Sequence, residues 1–498
     1  MRALEDYPDA DLRIFDRPEL PAPDDIDDVY LIGICGTGMG SLAALFQQAG
    51  YRVRGSDQAA WPPMSVRLAD LGIPIIEGYS AENLEPAPSL VVVGNACTPT
   101  HVEAAAARDR GLAQASFPEA LAHYFIGDRK SIVIAGTHGK TSTTGLLVHV
   151  FESAGLDPGY LVGGVRVGSD QSQAVGSGRY FVSEGDEYDS AYFDKRSKFF
   201  HYRPDIAVVT SVEFDHADIF EGDHDYREVF ADFAASIDEA GLLTIWGDDP
   251  IVRAVGASAG CRVITYGFDS GCDLRADKLR PTPEGTWFSI FLEDGSEHEM
   301  LLRGWGRHNV LNALPVVAIA LEEGLDLDTI HRGLADYPGM KRRQEIRGIE
   351  ADVIVVDDFA HHPTAVRETI LATRERWPNR RIVAVFEPRS NSSRQKLFEN
   401  VYPGALGNAH AVFLARPPVR HNDRPEDFMD IDVVAEAVRK LGVPTEIAPS
   451  AESLLDPLTE YAASGDVLLL MSNGAMGGLH VKLLDALKNN VTSTAGRP

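Results

Sequence analysis

The stretch Ala135-Gly136-Thr137-His138-Gly139-Lys140-Thr141-Ser142-Thr143 follows an apolar segment, Ser131–Ala135, and leads into a helical pattern. Glycines at such a junction let backbone N–H groups approach phosphate oxygens, and the N-terminus of the helix favours an anion. Lys140 can reach the outer phosphates of a nucleotide, and the Thr141 hydroxyl can coordinate Mg²⁺. The usual pattern has glycine where Ile134 stands, so the loop is a variant form. The strand–turn–helix context favours an ATP site over a chance Gly-Lys-Thr turn.

Two acidic turns follow later strands of the same predicted domain. Glu184-Gly185-Asp186-Glu187-Tyr188-Asp189 comes after Phe181–Ser183, and Glu213-Phe214-Asp215-His216 comes after Ile206–Val209. Carboxylate oxygens, with one imidazole, are suitable ligands for Mg²⁺. Either turn alone is typical of a solvated surface. Both together, downstream of a phosphate loop, predict a metal site.

An earlier glycine loop, Gly33–Gly40, follows the predicted strand Asp28–Ile34 and precedes a predicted helix, Ser41–Ala49. Asp57 ends the next strand. The loop resembles a dinucleotide fingerprint, but its spacing does not fit the strict form. A tight turn without a ligand remains an alternative; the position at a strand end favours a nucleotide or a nucleotide-sugar.

The chain of 498 residues carries 46 basic and 74 acidic residues, a formal net charge of −28. That balance argues against general nucleic-acid binding and against a polybasic attachment to anionic lipid. Its four cysteines are too few and too scattered for a disulfide framework or a zinc site. Met1–Asp28 has no apolar core of a signal peptide, and the longest apolar run, Ala313–Leu321, is too short to span a membrane. We expect a cytoplasmic protein without nucleic-acid or membrane partners.

Strand and helix patterns predict an α/β protein in which parallel sheets dominate, with an antiparallel stretch at Arg262–Met300. The predicted domains are a mobile or surface-draped lead-in, 1–27, followed by residues 28–127, 128–338 and 339–498. In the last of these, several polar clusters follow or border strands and predict a binding edge. They are Arg342-Arg343, Asp357–Pro363, Glu387–Asn391 and Ser472–Gly478.

Taken together, these motifs resemble those of the Mur ligases, ATP-dependent amide-forming enzymes of bacterial peptidoglycan synthesis. The resemblance covers nearly the whole chain after the lead-in. It is carried by Gly136–Thr141, the Glu184 turn, Asp215-His216, His308-Asn309-x-x-Asn312, and Asp357-Asp358 with His361-His362. It implies three domains: an N-terminal Rossmann-like domain for a UDP-sugar, a central P-loop ATPase with a mixed sheet, and a C-terminal Rossmann-like domain that closes over the site.

The resemblance also implies a reaction. The lactyl carboxylate of UDP-N-acetylmuramate attacks the γ-phosphate of ATP, and an amine then displaces phosphate from the acyl phosphate. Within the family, four stretches favour L-Ala-γ-D-Glu-meso-diaminopimelate as the amine, in peptidoglycan recycling, over free L-Ala. They are Pro62-Pro63-Met64-Ser65, Phe193–Phe199, Glu387–Asn391, and Met471–Gly474 with Gly477-Gly478. The alanine ligase remains the alternative.

Site residues carried over from the family fall into five groups. Catalytic residues are Lys140, Glu184 and His216; Mg²⁺ ligands are Thr141, Glu184 and His216. ATP-binding residues are Gly136, Thr137, His138, Gly139, Lys140, Thr141, Ser142, Asn309, Asn312, Arg343 and Asp358. UDP-sugar-binding residues are Gly36, Thr37, Gly38 and Asp57; peptide-binding residues are Arg389, Asn391 and Asn473. A nucleotide sensor without turnover and a nicotinamide oxidoreductase remain as other classes, and the oligomeric state stays open.

Overall fold

The computed structural model describes residues 3–62, 64–215, 219–220, 222–417 and 425–494. The described residues divide into two compact units. The first unit comprises residues 3–214, 219–275 and 314–333, and the second comprises residue 215, residues 276–313 and those from 334 onward. Within this described part of the chain, no helix combines the length and the apolar character needed to cross a bilayer.

The lead-in lies against the first unit and contains a short helix, α1 (Ala10–Arg13). The Arg17 guanidinium forms two bonds to the Glu119 carboxylate, at 2.8 and 2.9 Å. The Phe15 ring stacks on Tyr192, with ring centres 6.2 Å apart. These contacts hold the described part of the lead-in on the first unit.

A parallel five-stranded sheet follows, with the order β3-β2-β1-β4-β5. Its strands are β1 (Asp28–Ile32), β2 (Arg52–Asp57), β3 (Ile75–Glu77), β4 (Leu90–Val93) and β5 (Gln114–Ser116). Its helices are α2 (Thr37–Gln48), α3 (Met64–Asp70), α4 (Val102–Asp109) and α5 (Phe117–Leu121). Helix α2 begins four residues before the predicted start, so that prediction was wrong. Packing of Gly40 on Met64 and of Gly38 on Phe117 outweighs the low helical propensity of glycine.

The phosphate loop follows a strand of the second sheet, β6 (Lys130–Ala135). The strands of this sheet and the adjoining β10–β11 hairpin are β6 (Lys130–Ala135), β7 (Gly159–Leu161), β8 (Gln173–Ala174), β9 (Tyr180–Gly185), β10 (Asp189–Ala191), β11 (Asp194–Ser197), β12 (Ile206–Val209), β13 (Leu242–Trp246), β14 (Arg262–Gly267), β15 (Leu274–Thr282), β16 (Gly285–Phe291) and β17 (Glu297–Leu302). The helices are α6 (Lys140–Ser153), α7 (Asp223–Ala235), α8 (Pro250–Gly256), α9 (Arg307–Glu322) and α10 (Leu327–Ala335). In the first unit the strand order is β14-β13-β12-β6-β9-β7-β8.

One prediction for this region needs correction. Strand β14 pairs in parallel with β13, so the stretch Arg262–Met300 is not antiparallel throughout. Antiparallel pairing is found between β16 and β17, which lie in the second unit. The half-buried pattern of β14 resembles that of an antiparallel strand, which explains the error.

The third sheet lies in the second unit, with the order β18-β19-β23-β20-β21-β22. Its strands are β18 (Glu345–Glu350), β19 (Val353–Asp358), β20 (Arg381–Phe386), β21 (Ala411–Ala415), β22 (Thr445–Ala448) and β23 (Asp466–Met471). Its helices are α11 (Pro363–Arg376), α12 (Tyr402–Leu406), α13 (Ile431–Lys440), α14 (Leu455–Tyr461) and α15 (Leu479–Thr494). All pairs except β18–β19 are parallel. Because β19, β23 and β20 are neighbours, their polar carboxyl ends share one edge.

Candidate active site

The phosphate loop joins β6 to α6 and needs glycine at two positions. Gly136 and Gly139 have φ angles of +129° and +83°, a region that other residues rarely adopt. A Cβ at Gly136 would also collide with the Thr210 hydroxyl. The loop therefore turns sharply and places the N-terminus of a helix of 14 residues at its end.

Lys140, the first residue of α6, places a positive charge at the end of the phosphate loop. Its Nζ donates to the Gly136 carbonyl at 2.6 Å and lies 3.2 Å from Glu187 Oε2. Burial alone would lower the pKa of Lys140, but the carboxylates of Glu187, Asp186 and Glu184 outweigh it and raise the pKa. The ammonium is thus held protonated beside the loop that would receive phosphates.

Thr141, the residue after Lys140 in α6, and Glu184, near the end of β9, bring two oxygen-bearing side chains together; they are called the Thr141–Glu184 oxygen pair. The Thr141 hydroxyl donates to Glu184 Oε2 at 3.1 Å, while Glu184 Oε1 accepts the Gly163 N–H at 2.5 Å. A hydroxyl and a carboxylate at one helix N-terminus are donors that Mg²⁺ prefers, so these residues fit the ion. His216, the other predicted ligand, lies outside the described residues.

Several contacts at the loop were not predicted from the sequence. The Thr137 hydroxyl lies 2.9 Å from Tyr226 Oη, and Tyr226 Oη donates to Glu187 Oε1 at 3.3 Å. His138 Nε2 lies 3.2 Å from Glu213 Oε2. Tyr226 lies on α7, more than 80 residues from Thr137. Ser142 is half-buried in the first turn of α6.

Asp57 holds the earlier glycine loop in place. Its two carboxylate oxygens accept the Cys35 and Gln58 N–H groups, at 2.9 and 2.8 Å. Gly36 and Thr37 are exposed at the start of α2, and Gly38 is half-buried. The arrangement leaves backbone N–H groups at a helix N-terminus, which suits a diphosphate.

In the second unit, Gln344 contacts a residue from each of two motifs identified in the sequence, Asp358 and His308. Its backbone N–H donates to Asp358 Oδ2 at 2.7 Å, and its side-chain Nε2 lies 3.4 Å from His308 Nε2. Asn309 Nδ2 donates to the Trp305 carbonyl at 2.7 Å, with Asn312 one turn farther along α9. Burial raises the pKa of Asp358, against the opposing charge of Arg343. Gln344 and Trp305 were not predicted, since no motif marks either residue.

His308 should make the free energy of unfolding depend on pH. Burial lowers its pKa to about 4, with Glu368 opposing and Arg343 reinforcing the shift. In the unfolded chain this histidine has a pKa of ~6.5, so it binds a proton at a higher pH than His308 does in the folded protein. The stabilisation is therefore complete above pH ~6.5 and is lost as the pH falls towards ~4. We expect urea unfolding to show a greater loss of stability between pH ~7 and ~5 for the wild type than for His308→Gln. Equal losses would contradict the assignment.

The edge formed by β20 and β23 brings together the predicted peptide-binding segments. The Arg389 side chain lies against Gly474, where a Cβ would collide with its Cδ. The Ser472 hydroxyl donates to Glu387 Oε2 at 2.7 Å and accepts the Gly474 N–H at 2.9 Å. Asn473 Oδ1 is buried and has no hydrogen-bond partner among the described residues. Such an atom is costly unless a ligand satisfies it.

Asn391, the third predicted peptide-binding residue, is exposed on the loop after β20. Its Oδ1 lies 3.4 Å from Arg394 Nη2. Arg394 itself is 3% exposed, and its Nε donates to the Ser390 carbonyl at 3.3 Å. This buried arginine was not predicted; it supports the loop that carries Arg389 and Asn391.

Comparison with known families gives three consecutive matches. Residues 28–128 match the Mur ligase family catalytic domain, residues 134–320 the Mur ligase middle domain, and residues 342–474 the Mur ligase glutamate ligase domain.

Individual relatives agree with these matches. The Escherichia coli UDP-N-acetylmuramate–L-alanyl-γ-D-glutamyl-meso-2,6-diaminoheptandioate ligase is 36% identical over 471 residues, covering 92% of this chain and 98% of that protein. A murein peptide ligase from Psychrobacter arcticus is 32% identical, with a TM-score of 0.70 over 93% of this chain and 99% of its own. The UDP-N-acetylmuramate–alanine ligase of Thermotoga maritima gives a TM-score of 0.74 at 22% identity, with the same coverage, which shows a shared fold.

Proposed function

The chain belongs to the Mur ligase family, and on this premise we propose that it joins L-Ala-γ-D-Glu-meso-diaminopimelate to the lactyl carboxylate of UDP-N-acetylmuramate, with ATP consumed and ADP and phosphate released. The chain is a ligase with the three-domain α/β fold predicted from its sequence. The predicted domain boundaries stay predictions. The choice of amine rests on the Escherichia coli relative, whose printed name contains this tripeptide. The product is a nucleotide tripeptide, which fits the reuse of cell-wall fragments in the cytoplasm, where nucleotide substrates are found.

The observation that carries the ATP-dependent step is the charged Lys140 beside the Thr141–Glu184 oxygen pair. A carboxylate and a triphosphate are both anions, and two like charges ~4 Å apart repel by about 4 kcal/mol at an effective dielectric near 20. The Lys140 ammonium offsets part of that repulsion and fixes the position of the outer phosphates. Thr141 and Glu184 would hold Mg²⁺, which supplies further positive charge when bound.

The other predicted site residues would bind the remaining parts of the substrates. The glycine loop Gly36-Thr37-Gly38, with the N–H groups of Thr37 and Gly38 at the N-terminus of α2, would bind the diphosphate of the sugar nucleotide. Asn309 and Asn312 would bind adenine, because an amide can pair with its amino group and ring nitrogen. From the third sheet, Arg343 and Asp358 would bind ATP, and Arg389, Asn391 and Asn473 would bind the peptide. His216 would bind a second Mg²⁺ with Glu184.

A second candidate is the ligase that uses free L-Ala, the alternative that the sequence leaves open; the Thermotoga maritima alanine ligase resembles this chain with a TM-score of 0.74. That likeness shows the fold alone. One assay separates the two candidates: ADP release with UDP-N-acetylmuramate and ATP, offered either L-Ala or the tripeptide. Release that depends on the tripeptide supports the proposal, and release with L-Ala alone favours the second candidate. ADP release that needs neither amine nor sugar would contradict both.

Glu184 provides a test of the metal site. Glu184→Gln keeps the shape of the side chain and removes the charge that faces Thr141. We expect a ~10²-fold fall in kcat and a higher Mg²⁺ concentration for half-maximal rate. Glu228→Gln, on the exposed surface of α7, is the matched control and should leave both unchanged. An unchanged Mg²⁺ requirement in Glu184→Gln would remove Glu184 from the metal site.

A further inference from the structure

Lys198 lies beside the acidic turn that follows β9. It begins a short 3₁₀ helix, Lys198–Tyr202, directly after β11. The Lys198 N–H donates to the Tyr188 carbonyl at 3.2 Å, and the Ser197 hydroxyl donates to the Glu187 carbonyl at 2.6 Å. Backbone and side-chain bonds therefore hold this segment alongside the residues next to Lys140.

The ammonium of Lys198 is well enclosed. Its Nζ lies 3.2 Å from Asp186 Oδ2, and the side chain is 12% exposed. It lies 4.1 Å from the centre of the Tyr188 ring and 5.2 Å from that of Phe117. The Phe117 ring in turn lies 3.4 Å from the place of a Cβ at Gly38, in the first glycine loop. Lys198 thus connects the phosphate-loop surroundings with the glycine loop, inside one unit.

Several carboxyl groups lie near Lys198, so an anionic ligand that binds here requires a neighbouring cation. The Asp186 carboxylate pairs with the Lys198 ammonium at 3.2 Å. Glu184 and Glu187 add two further carboxyl groups beside Lys140. An anionic group entering this region would be repelled by these acids. Lys140, directed at phosphates, is already used for another anion.

We propose that Lys198 binds the reacting carboxylate of the sugar nucleotide, between the glycine loop and the phosphate loop. This inference rests on the proposed function, which requires a substrate carboxylate to meet the outer phosphate of ATP. An ammonium has three N–H donors, so it can keep Asp186 and still donate to a second carboxylate. The rings of Tyr188 and Phe117 confine it and stabilise its charge. Lys198 then determines selectivity for a sugar that carries an acid.

Two sugar nucleotides test this role directly. UDP-N-acetylmuramate carries the lactyl carboxylate, whereas UDP-N-acetylglucosamine has a hydroxyl in its place. We expect the wild type to bind the first more tightly. Lys198→Met should weaken its binding at least tenfold, while the affinity for UDP-N-acetylglucosamine stays within twofold. The KM for UDP-N-acetylmuramate should rise, with the KM for ATP unchanged. Isothermal titration and steady-state kinetics measure these quantities.

Lys195→Met is the matched control. Lys195 lies on β11, three residues before Lys198, and also pairs with an aspartate, Asp189, so its loss removes one charge from a neighbouring position. It should leave both affinities unchanged. Lys198→Arg keeps the charge and should retain part of the selectivity. Lys198→Gln is a second neutral variant, with melting temperatures measured for all proteins.

The outcomes separate three cases. Equal weakening of both sugar nucleotides would mean that Lys198 only supports the acidic turn, and would overturn the inference. Unchanged selectivity in Lys198→Met or Lys198→Gln would overturn it too. If instead the wild type forms no product from UDP-N-acetylmuramate and the tripeptide, the proposed function itself is wrong, whatever the variants do.

Discussion

Lys140→Ala is expected to reduce product formation by at least ~10²-fold, the effect of removing one preorganised charge from a reacting centre. Lys140 is the ammonium placed beside both the Gly136 carbonyl and the Glu187 carboxylate. Without it, the outer phosphates lose a fixed cation, and the approaching carboxylate meets more negative charge. The rate of ADP release with saturating substrates measures the loss.

Binding of the sugar nucleotide should survive this change, because its glycine loop belongs to the first sheet. Titration of the variant with UDP-N-acetylmuramate checks that, and it also shows that the protein is folded. Lys278→Ala is the control, since Lys278 is 58% exposed and pairs with Glu297. Because Lys140→Ala leaves Glu187 buried without this partner, Lys140→Arg serves as a second variant that keeps the charge. Full ligation by Lys140→Ala would remove the loop from the mechanism.

The parts of the site that the sequence predicts are those formed by adjacent residues. A glycine, a lysine and a threonine between a strand and a helix form a phosphate loop through local geometry, so Gly136, Lys140 and Thr141 could be placed in advance. The partners of these residues come from distant segments: Tyr226 contacts Thr137, and Gly163 contacts Glu184. No periodicity or motif marks such residues, because their role depends on tertiary packing.

The same distinction explains the errors in the fold. The buried strand β12 was placed at its observed bounds because a continuous apolar run identifies it. The start of α2 was misplaced because its first turn is rich in glycine, and packing on Phe117 and Met64 holds it in helical form. The pairing of β14 was misjudged because the strand is only partly buried, whereas a parallel strand is usually buried on both faces.

The amine substrate should be the tripeptide, with free L-Ala used far less well. L-Ala has one carboxylate close to its amine, whereas the tripeptide carries its remaining charges several bonds away and needs donors spread along a groove. The edge formed by β20 and β23 offers such donors: the Arg389 guanidinium, held against Gly474, and the neighbouring Asn473. Values of kcat/KM for the two amines measure the preference. Equal values would contradict the choice of tripeptide.

Arg389→Ala should raise the KM for the tripeptide by ~30-fold or more, because losing a charged contact to a buried carboxylate costs about 2–5 kcal/mol. The KM for ATP and for the sugar nucleotide should stay near their wild-type values, since Arg389 lies at the edge formed by β20 and β23, against Gly474. Arg416→Ala is the matched control: Arg416 follows β21 of the same sheet and pairs with Asp432 at 2.7 Å. If Arg416→Ala raised the tripeptide KM as much as Arg389→Ala, the effect would come from the general charge of this face. A normal tripeptide KM in Arg389→Ala would place the peptide carboxylates elsewhere.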